Sequence, residues 1–400
     1  MPLRNDRYRN NQDGRQVKIK AYWKWFGLLS ALALATNVAA QETAKVTPTD
    51  PAVVARDAAR YVRIERLSKR VLLAYWIGTG RCNLTAIQSE KGLVVIDTEM
   101  SPRIMAPIKK RIEQVFGRDD WVYVINTHGH MHHASGNCLF KGATIVGHEN
   151  LAQDMQWLVD EQTDPELHRK ALDRAAANLR NLRDALPRVA GNRAMTETIH
   201  GETRFWQLYT QDMKEGYEVV KPSLTFADRH TLDLGDLTLE LVFFGKGGHA
   251  ISDILIYVPQ ERLLVSGAII YQRYRLPWIF TTAQVQDVNR FISVLDSFLP
   301  DDVRIDHVVP SHSPPLVKND IVPVRDYYRK MLTGVRAARE EGLSLEQVLE
   351  RFSQKTMFPY FYEPPRGEWE HGTHERNIRN LWDILDKRGQ PLTTDGDIGH

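Results

Sequence analysis

Four histidines crowd into six positions in Thr127-His128-Gly129-His130-Met131-His132-His133, directly after the apolar run Trp121-Val122-Tyr123-Val124-Ile125-Asn126. The run reads as a strand, so the histidines sit on the loop at its end. Two imidazoles two residues apart on such a loop can point at one centre, and His133 opens the helix that follows. Zinc takes three or four N, O or S ligands at about 2.0–2.3 Å, and a strand end supplies the rigidity this needs. A lone buried histidine is usually a satisfied core residue, but four in six positions do not fit that description.

Two more histidines occupy the same kind of place. His249 follows the glycine-rich turn Phe244-Gly245-Lys246-Gly247-Gly248 after a strand. His312 lies in Val308-Val309-Pro310-Ser311-His312-Ser313, again just past an apolar run. Three strand ends carrying histidine are expected to meet at one sheet edge. Other motifs fall away. Ser135 lacks a Gly-x-Ser-x-Gly elbow, and Gly245 to Gly248 lacks Walker spacing. His148 reads as structural, and His371 and His374 as a surface turn.

Around the cluster the pattern mixes strands and helices. Val71 to Trp76 and Leu93 to Asp97 are short apolar runs bounded by turn residues. Pro102 to Phe116 places Ile104, Ile108, Ile112 and Val115 on one helical face. Residues 150–220 form a helical insertion whose main helix runs from Pro165 to Leu186, with Leu172, Leu179, Leu182 and Leu186 at heptad-like spacing. It either packs on its own domain or pairs with a second copy in a homo-oligomer. Strands resume over Leu237 to Phe244, Ile254 to Val258 and Leu263 to Ser266. A helix over Val324 to Glu341 follows, and Ser344-Leu345-Glu346-Gln347 is a capping-box start for another. The expected division is a segment over 1–40, a main domain over 41–320 and a helical C-terminal extension over 321–400.

The first segment is an export signal. Lys18, Lys20 and Lys24 precede the apolar run Trp25 to Ala35, and Thr36-Asn37-Val38-Ala39-Ala40 offers small residues for cleavage before Gln41. The run is short for a membrane span, so no stable membrane insertion is expected after cleavage, and an uncleaved anchor is the other reading. Residues 1–40 hold seven Lys/Arg and two Asp/Glu, a net of +5 within a chain of +2, which leaves about −3 for the rest. The basic character belongs to the signal, and nothing points to nucleic acid. A periplasmic or secreted location follows. There Cys82 and Cys138, the only cysteines, either form a disulfide or remain buried thiols.

The ordered motifs resemble the metallo-β-lactamase superfamily over roughly residues 70–315. Besides the histidine cluster, Gly92-Leu93-Val94-Val95-Ile96-Asp97-Thr98 is similar to the family's strand ending in a structural Asp. His249-Ala250-Ile251-Ser252-Asp253-Ile254 is similar to its third-ligand segment, and Leu263-Leu264-Val265-Ser266-Gly267 to the strand before its fourth. The resemblance implies an α/β fold, an αββα sandwich with metals in a cleft at one edge. It assigns His128, His130 and His249 to a first metal position and His133 and His312 to a second. The family's motif Asp falls on His132, and the bridging Asp of many members falls on Ala268.

Both departures remove a carboxylate. Two dications about 3.5–4 Å apart repel by on the order of 20 kcal/mol at an effective dielectric near 20, and imidazoles bring no charge against that. His132 takes over the place of a residue that both binds metal and orients the attacking group, and is the expected catalytic residue.

The function implied is an exported hydrolase that uses a metal-bound hydroxide on a small amide, lactam, lactone or ester, with one or two zinc ions. A member that binds metal or ligand without hydrolysis also fits the residues. So does an iron-dependent redox protein, since an all-histidine site suits iron too. Intact-mass measurement on protein from a periplasmic fraction is expected to give a chain beginning at or near Gln41; full-length chain confined to the cytosol would contradict the export reading.

Overall fold

Every residue of Gly92–Ile96 is buried, as a run of Leu, Val and Ile without polar alternation requires of a strand covered on both faces. In the computed structural model, which describes residues 58–78, 82–272, 275–362 and 367–386, this is the middle strand of a seven-stranded sheet. The strands are Val62–Arg66 (β1), Val71–Trp76 (β2), Asn83–Ser89 (β3), Gly92–Ile96 (β4), Trp121–Ile125 (β5), Thr144–His148 (β6) and Leu224–Phe226 (β7), paired in chain order. Pairing is antiparallel up to β4 and parallel from β4 to β7. The second sheet holds Arg229–Asp233 (β8), Thr238–Phe243 (β9), Ile254–Val258 (β10), Leu263–Gly267 (β11) and His307–Pro310 (β12), in the order β12-β11-β10-β9-β8. The expected export signal lies outside the described residues.

Parallel pairing of β4 and β5 needs a crossover, and helix α1, Pro102–Phe116, supplies it. Ile104, Met105, Ile108 and Ile112 are its buried face, and Gly117 at φ 70° ends it in the left-handed conformation. Between the sheets lies an apolar layer that includes Leu73, Val94, Ile96 and Ile125 from one side and Leu239, Leu241, Ile254 and Ile256 from the other. A second layer joins the outer face of the first sheet to α1 and the insertion. A third joins the outer face of the second sheet to the C-terminal helices. The architecture is the αββα sandwich that the motifs imply.

After β5 comes the short helix α2, Met131–Ala134. The insertion is wholly helical: Leu151–Asp154 (α3), Gln156–Thr163 (α4), Pro165–Ala185 (α5) and Arg193–Glu215 (α6). Asp164 caps α5 by accepting from the Glu166 and Leu167 amides at 2.8 and 3.0 Å. Its buried residues are Ala171, Ala175 and Leu182, so of the leucine ladder only Leu182 is buried, beside two alanines. Helix α6 buries Ile199, Leu208, Tyr209 and Met213 against the same domain.

The C-terminal helices are Val285–Ser297 (α7), Ile321–Glu340 (α8), Leu345–Arg351 (α9), Gln354–Met357 (α10) and Gly367–Asp386 (α11). The expected capping box at Ser344 forms, with the Gln347 amide at 3.3 Å and the Gln347 carboxamide at 2.7 Å. Tyr327, Tyr328, Ile378 and Leu381 share one core with Phe244, Leu255 and Leu264 on the side of the second sheet, so the described helices beyond residue 320 pack as part of the sandwich.

One sequence expectation is corrected, and one left open is decided. His374 is not on a surface turn. It is fully buried on α11, with Nδ1 3.0 Å from the Tyr327 hydroxyl and Nε2 3.0 Å from the Phe352 carbonyl, because the surrounding polar spacing continues a helix. Cys82 and Cys138 are both free thiols.

Beside His374, Asn377 accepts from the Ile279 amide at 3.0 Å and donates to the Pro277 carbonyl at 2.7 Å and the Tyr327 hydroxyl at 2.9 Å. Its replacement by alanine would leave buried groups unpaired. Chemical denaturation of Asn377→Ala is expected to show a loss of roughly 2–4 kcal/mol, from more than one orphaned partner at about 1–3 kcal/mol each. A loss below about 0.5 kcal/mol would contradict that account.

Candidate metal centre

The loop after β5 is fixed by the carboxylate of Asp97. Its Oδ1 accepts from the Thr127 amide and its Oδ2 from the Thr127 hydroxyl, both at 2.8 Å. The same Oδ2 lies 2.8 Å from His133 Nδ1. A carboxylate only accepts, so Nδ1 carries the ring proton and Nε2 keeps its lone pair. Asp97 and, two residues on, Glu99 both adopt positive φ, 66° and 65°. Such a conformation is costly for residues with a Cβ and concentrates where a site requires it.

The second sheet brings its own loop to the same edge. Gly247, at φ 82°, could not carry a side chain, because a Cβ would stand 2.7 Å from the Ala283 nitrogen. Asp253 Oδ2 accepts from the His249 and Ala250 amides at 2.8 and 2.6 Å, which closes the turn around His249. The Ile254 amide donates to the Thr127 carbonyl at 2.9 Å, tying this loop to the strand end of the other sheet. At the third strand end, the Asn83 side chain donates to the Pro310 and Ser313 carbonyls, both at 2.6 Å, on either side of His312.

His128, His130 and His249 come together so that one ligand nitrogen of each lies within 4.8 Å of the others. Their ring centroids are 4.6 to 4.8 Å apart and the planes nearly perpendicular. His249 Nε2 stands 3.1 Å from His130 Nδ1. Two nitrogens bound tetrahedrally at about 2.0–2.1 Å to one ion lie about 3.3–3.4 Å apart, so the spacing suits a shared cation. Among the described residues no other set of His, Cys, Asp or Glu meets this geometry. The buried His128 Nε2 and His133 Nε2 have no hydrogen-bond partner, and orphaned buried nitrogens are what a ligand set presents. The residues fit a divalent ion.

His132, His133 and His312 make a looser group. Ring centroids are 5.6 Å between His132 and His312, 5.2 Å between His133 and His312, and 6.1 Å between His132 and His133. His133 links the two groups, its ring 4.1 Å from that of His128. Exposure divides the six. His128, His133 and His249 are buried, whereas His130, His132 and His312 are partly exposed and mark the side from which a small molecule can approach.

Three of the imidazoles, those of His128, His132 and His249, are held neutral. Burial, then the neighbouring histidines, pushes His128 well below the ordinary range. Burial, then His130 and the Arg275 guanidinium, does the same for His249. His132 is pushed down to about 3 by burial, His133 and the Arg174 guanidinium. Each therefore offers a lone pair at neutral pH without first losing a proton.

The negative charge missing at residues 132 and 268 stands one layer back. Ala268 is buried and brings no carboxylate to the end of β11. Behind the imidazoles, however, lie the buried acids Asp97, Asp154 and Asp253, with Glu99 buried two residues past Asp97. Asp253 Oδ1 is 4.0 Å from His128 Nδ1, and Asp97 holds His133. Burial pushes Asp154 up to about 6 and Glu99 and Asp253 up to about 8. A cation among the imidazoles favours the charged form of each. Sequence reading missed Glu99, Asp154 and Asn83. Only Glu99 left a signal, as a second acid two residues past Asp97.

The chain matches the profile of the metallo-beta-lactamase superfamily over residues 77–312. No curated protein matches it. Among solved structures it is similar to a metallo-beta-lactamase from Pontibacter korlensis, at 17% identity and a TM-score of 0.44 over 67% of this chain and 99% of that one. It is also similar to a double mutant of the sec-alkyl sulfatase PisA1, at 15% identity and a TM-score of 0.52 over 86% of this chain and 53% of the other, so it spans about half of that protein. The matched region holds the strand ending in Asp97, the histidine cluster, the His249 loop and His312: this chain belongs to the metallo-beta-lactamase superfamily.

Proposed function

We propose that the protein is an exported metal-dependent hydrolase that cleaves a small amide, lactam, lactone or ester, sulfate esters included. The observation that carries the reading is the convergence of His128, His130 and His249, one ligand nitrogen of each lying within 4.8 Å of the others. A divalent ion held there, zinc by preference, supplies a Lewis acid that polarises the scissile bond and acidifies water. The protein's part is to hold the His128 and His249 imidazoles neutral by burial and to fix the loops that carry the ligands through Asp97 and the Asp253 turn. His132 and His312 face each other on the partly exposed side. His132, kept uncharged, can bind a second ion through its lone pair. Export rests on the residues before Gln41.

Spacing also sets the order of metal binding. The first three nitrogens are preassembled, while the His132, His133 and His312 rings stand farther apart. Dialysis against graded chelator followed by elemental analysis is expected to strip a weakly held ion first and leave one tightly held. Loss of two ions at the same chelator strength would contradict this order, and iron in place of zinc would favour a redox role.

The absence of a carboxylate at 132 and 268 favours a second reading, a member that binds metal or ligand without hydrolysis. Residue 132 separates the two. On a panel of lactams, lactones and esters, wild type is expected to turn over at least one substrate. His132→Ala is expected to lower both the weaker metal occupancy and the rate, the latter by roughly 100-fold or more. An inert wild type beside an active His132→Asp variant would sink the hydrolase reading in favour of the binding one.

A further inference from the structure

The histidines of the first metal position come from two different sheets. His128 and His130 follow β5, and His249 follows β9. Ligand nitrogens must hold their spacing to a few tenths of an ångström for tight binding, so whatever couples the two loops governs the site. One coupling is the backbone bond from Ile254 to Thr127. The other is a side chain. Asp154, the last residue of α3, accepts through Oδ2 from the Gly129 amide at 3.0 Å and from the Ser252 hydroxyl. Gly129 separates His128 from His130, and Ser252 lies three residues past His249. A single carboxylate oxygen thus joins both ligand loops.

The approach leaves no slack. A Cβ on Gly129 would stand 2.7 Å from both the carbonyl carbon and the Cβ of Asp154, and 2.8 Å from the Met155 nitrogen. Asp154 is fully buried, and its Oδ1 has no hydrogen-bond partner. Keeping a half-satisfied carboxylate in the interior is unfavourable, which argues for a role beyond filling space.

We propose that Asp154 is a positioning residue that locks the His128–His130 loop to the His249 loop, so that the first turn of the helical insertion sets the geometry of the first metal position. The inference rests on the reading of His128, His130 and His249 as ligands. It gives the insertion a part in building the centre as well as covering the sheet.

The test compares full-length wild type with Asp154→Asn, Asp154→Ala and Ser252→Ala. Zinc affinity is measured by competition with a chromogenic chelator, the ligand field by the cobalt(II) absorption spectrum, and folding by melting of the metal-free protein. Asparagine keeps an oxygen that accepts from both partners, so its affinity is expected within about threefold of wild type. Asp154→Ala is expected to bind zinc about 10–100-fold more weakly, with a shifted cobalt spectrum, and Ser252→Ala to show a smaller loss in the same direction. If Asp154→Ala melts earlier but binds zinc as wild type does, with an unchanged spectrum, the residue is structural only and the proposal is overturned. An asparagine variant as weak as the alanine one overturns it too, since charge rather than placement would then matter. Should Asp154→Ala fail to fold, Ser252→Ala decides alone, and wild-type affinity there overturns the proposal. A wild type that binds neither zinc nor cobalt overturns the metal reading itself, and this inference with it.

Discussion

The Asp97 carboxylate is the interaction on which the site depends. It ends the central strand of one sheet, takes two bonds from Thr127 and one from His133, and so fixes both ends of the histidine loop at once. The positive φ it needs is unfavourable for an aspartate, and three charge-assisted bonds offset that cost. Everything nearer the exposed side is built outward from this fixed point: the orientation of His133, the exit of His128 and His130, and the backbone bond that brings the His249 loop across from the other sheet.

The same arrangement shows how a site can lose its anionic ligands and remain balanced. The buried acids Asp97, Asp154 and Asp253 stand behind the imidazoles. Charge placed one bond farther from a cation attracts it less strongly, because the interaction falls with distance, yet at His133 it also orients the ring through Asp97. Such a site binds through neutral donors and tunes them from behind. That arrangement favours one well-held ion over a closely spaced pair.

Much of this was legible in the residues. Unbroken apolar runs such as Gly92–Ile96 mark buried strands, and the face of Ile104, Ile108 and Ile112 marks α1, because burial periodicity is written directly into the chain. The six histidines stand out because core packing seldom gathers imidazoles at the ends of strands. What escaped was whatever depends on contacts distant in sequence. Asp154 is one acid in a four-residue helix, and nothing local says that Gly129 passes above it. Helix α6 went undivided from its surroundings because its buried positions are spread among polar ones. His374 looked like part of a turn because its partners, Tyr327 and Phe352, lie 47 and 22 residues away.

The grip of α11 on the segment from Pro277 to Phe280 reaches farther than the C-terminal core. Asn377 and Asn380 hold that segment, and the Phe280 amide in turn donates to the Gly247 carbonyl, two residues before His249. The loop that delivers the third imidazole is therefore braced by the last described helix of the chain. The His249 loop therefore keeps its place only while residues far beyond it in sequence are packed, so the integrity of the centre is tied to the C-terminal helices as well as to the strands that carry the histidines.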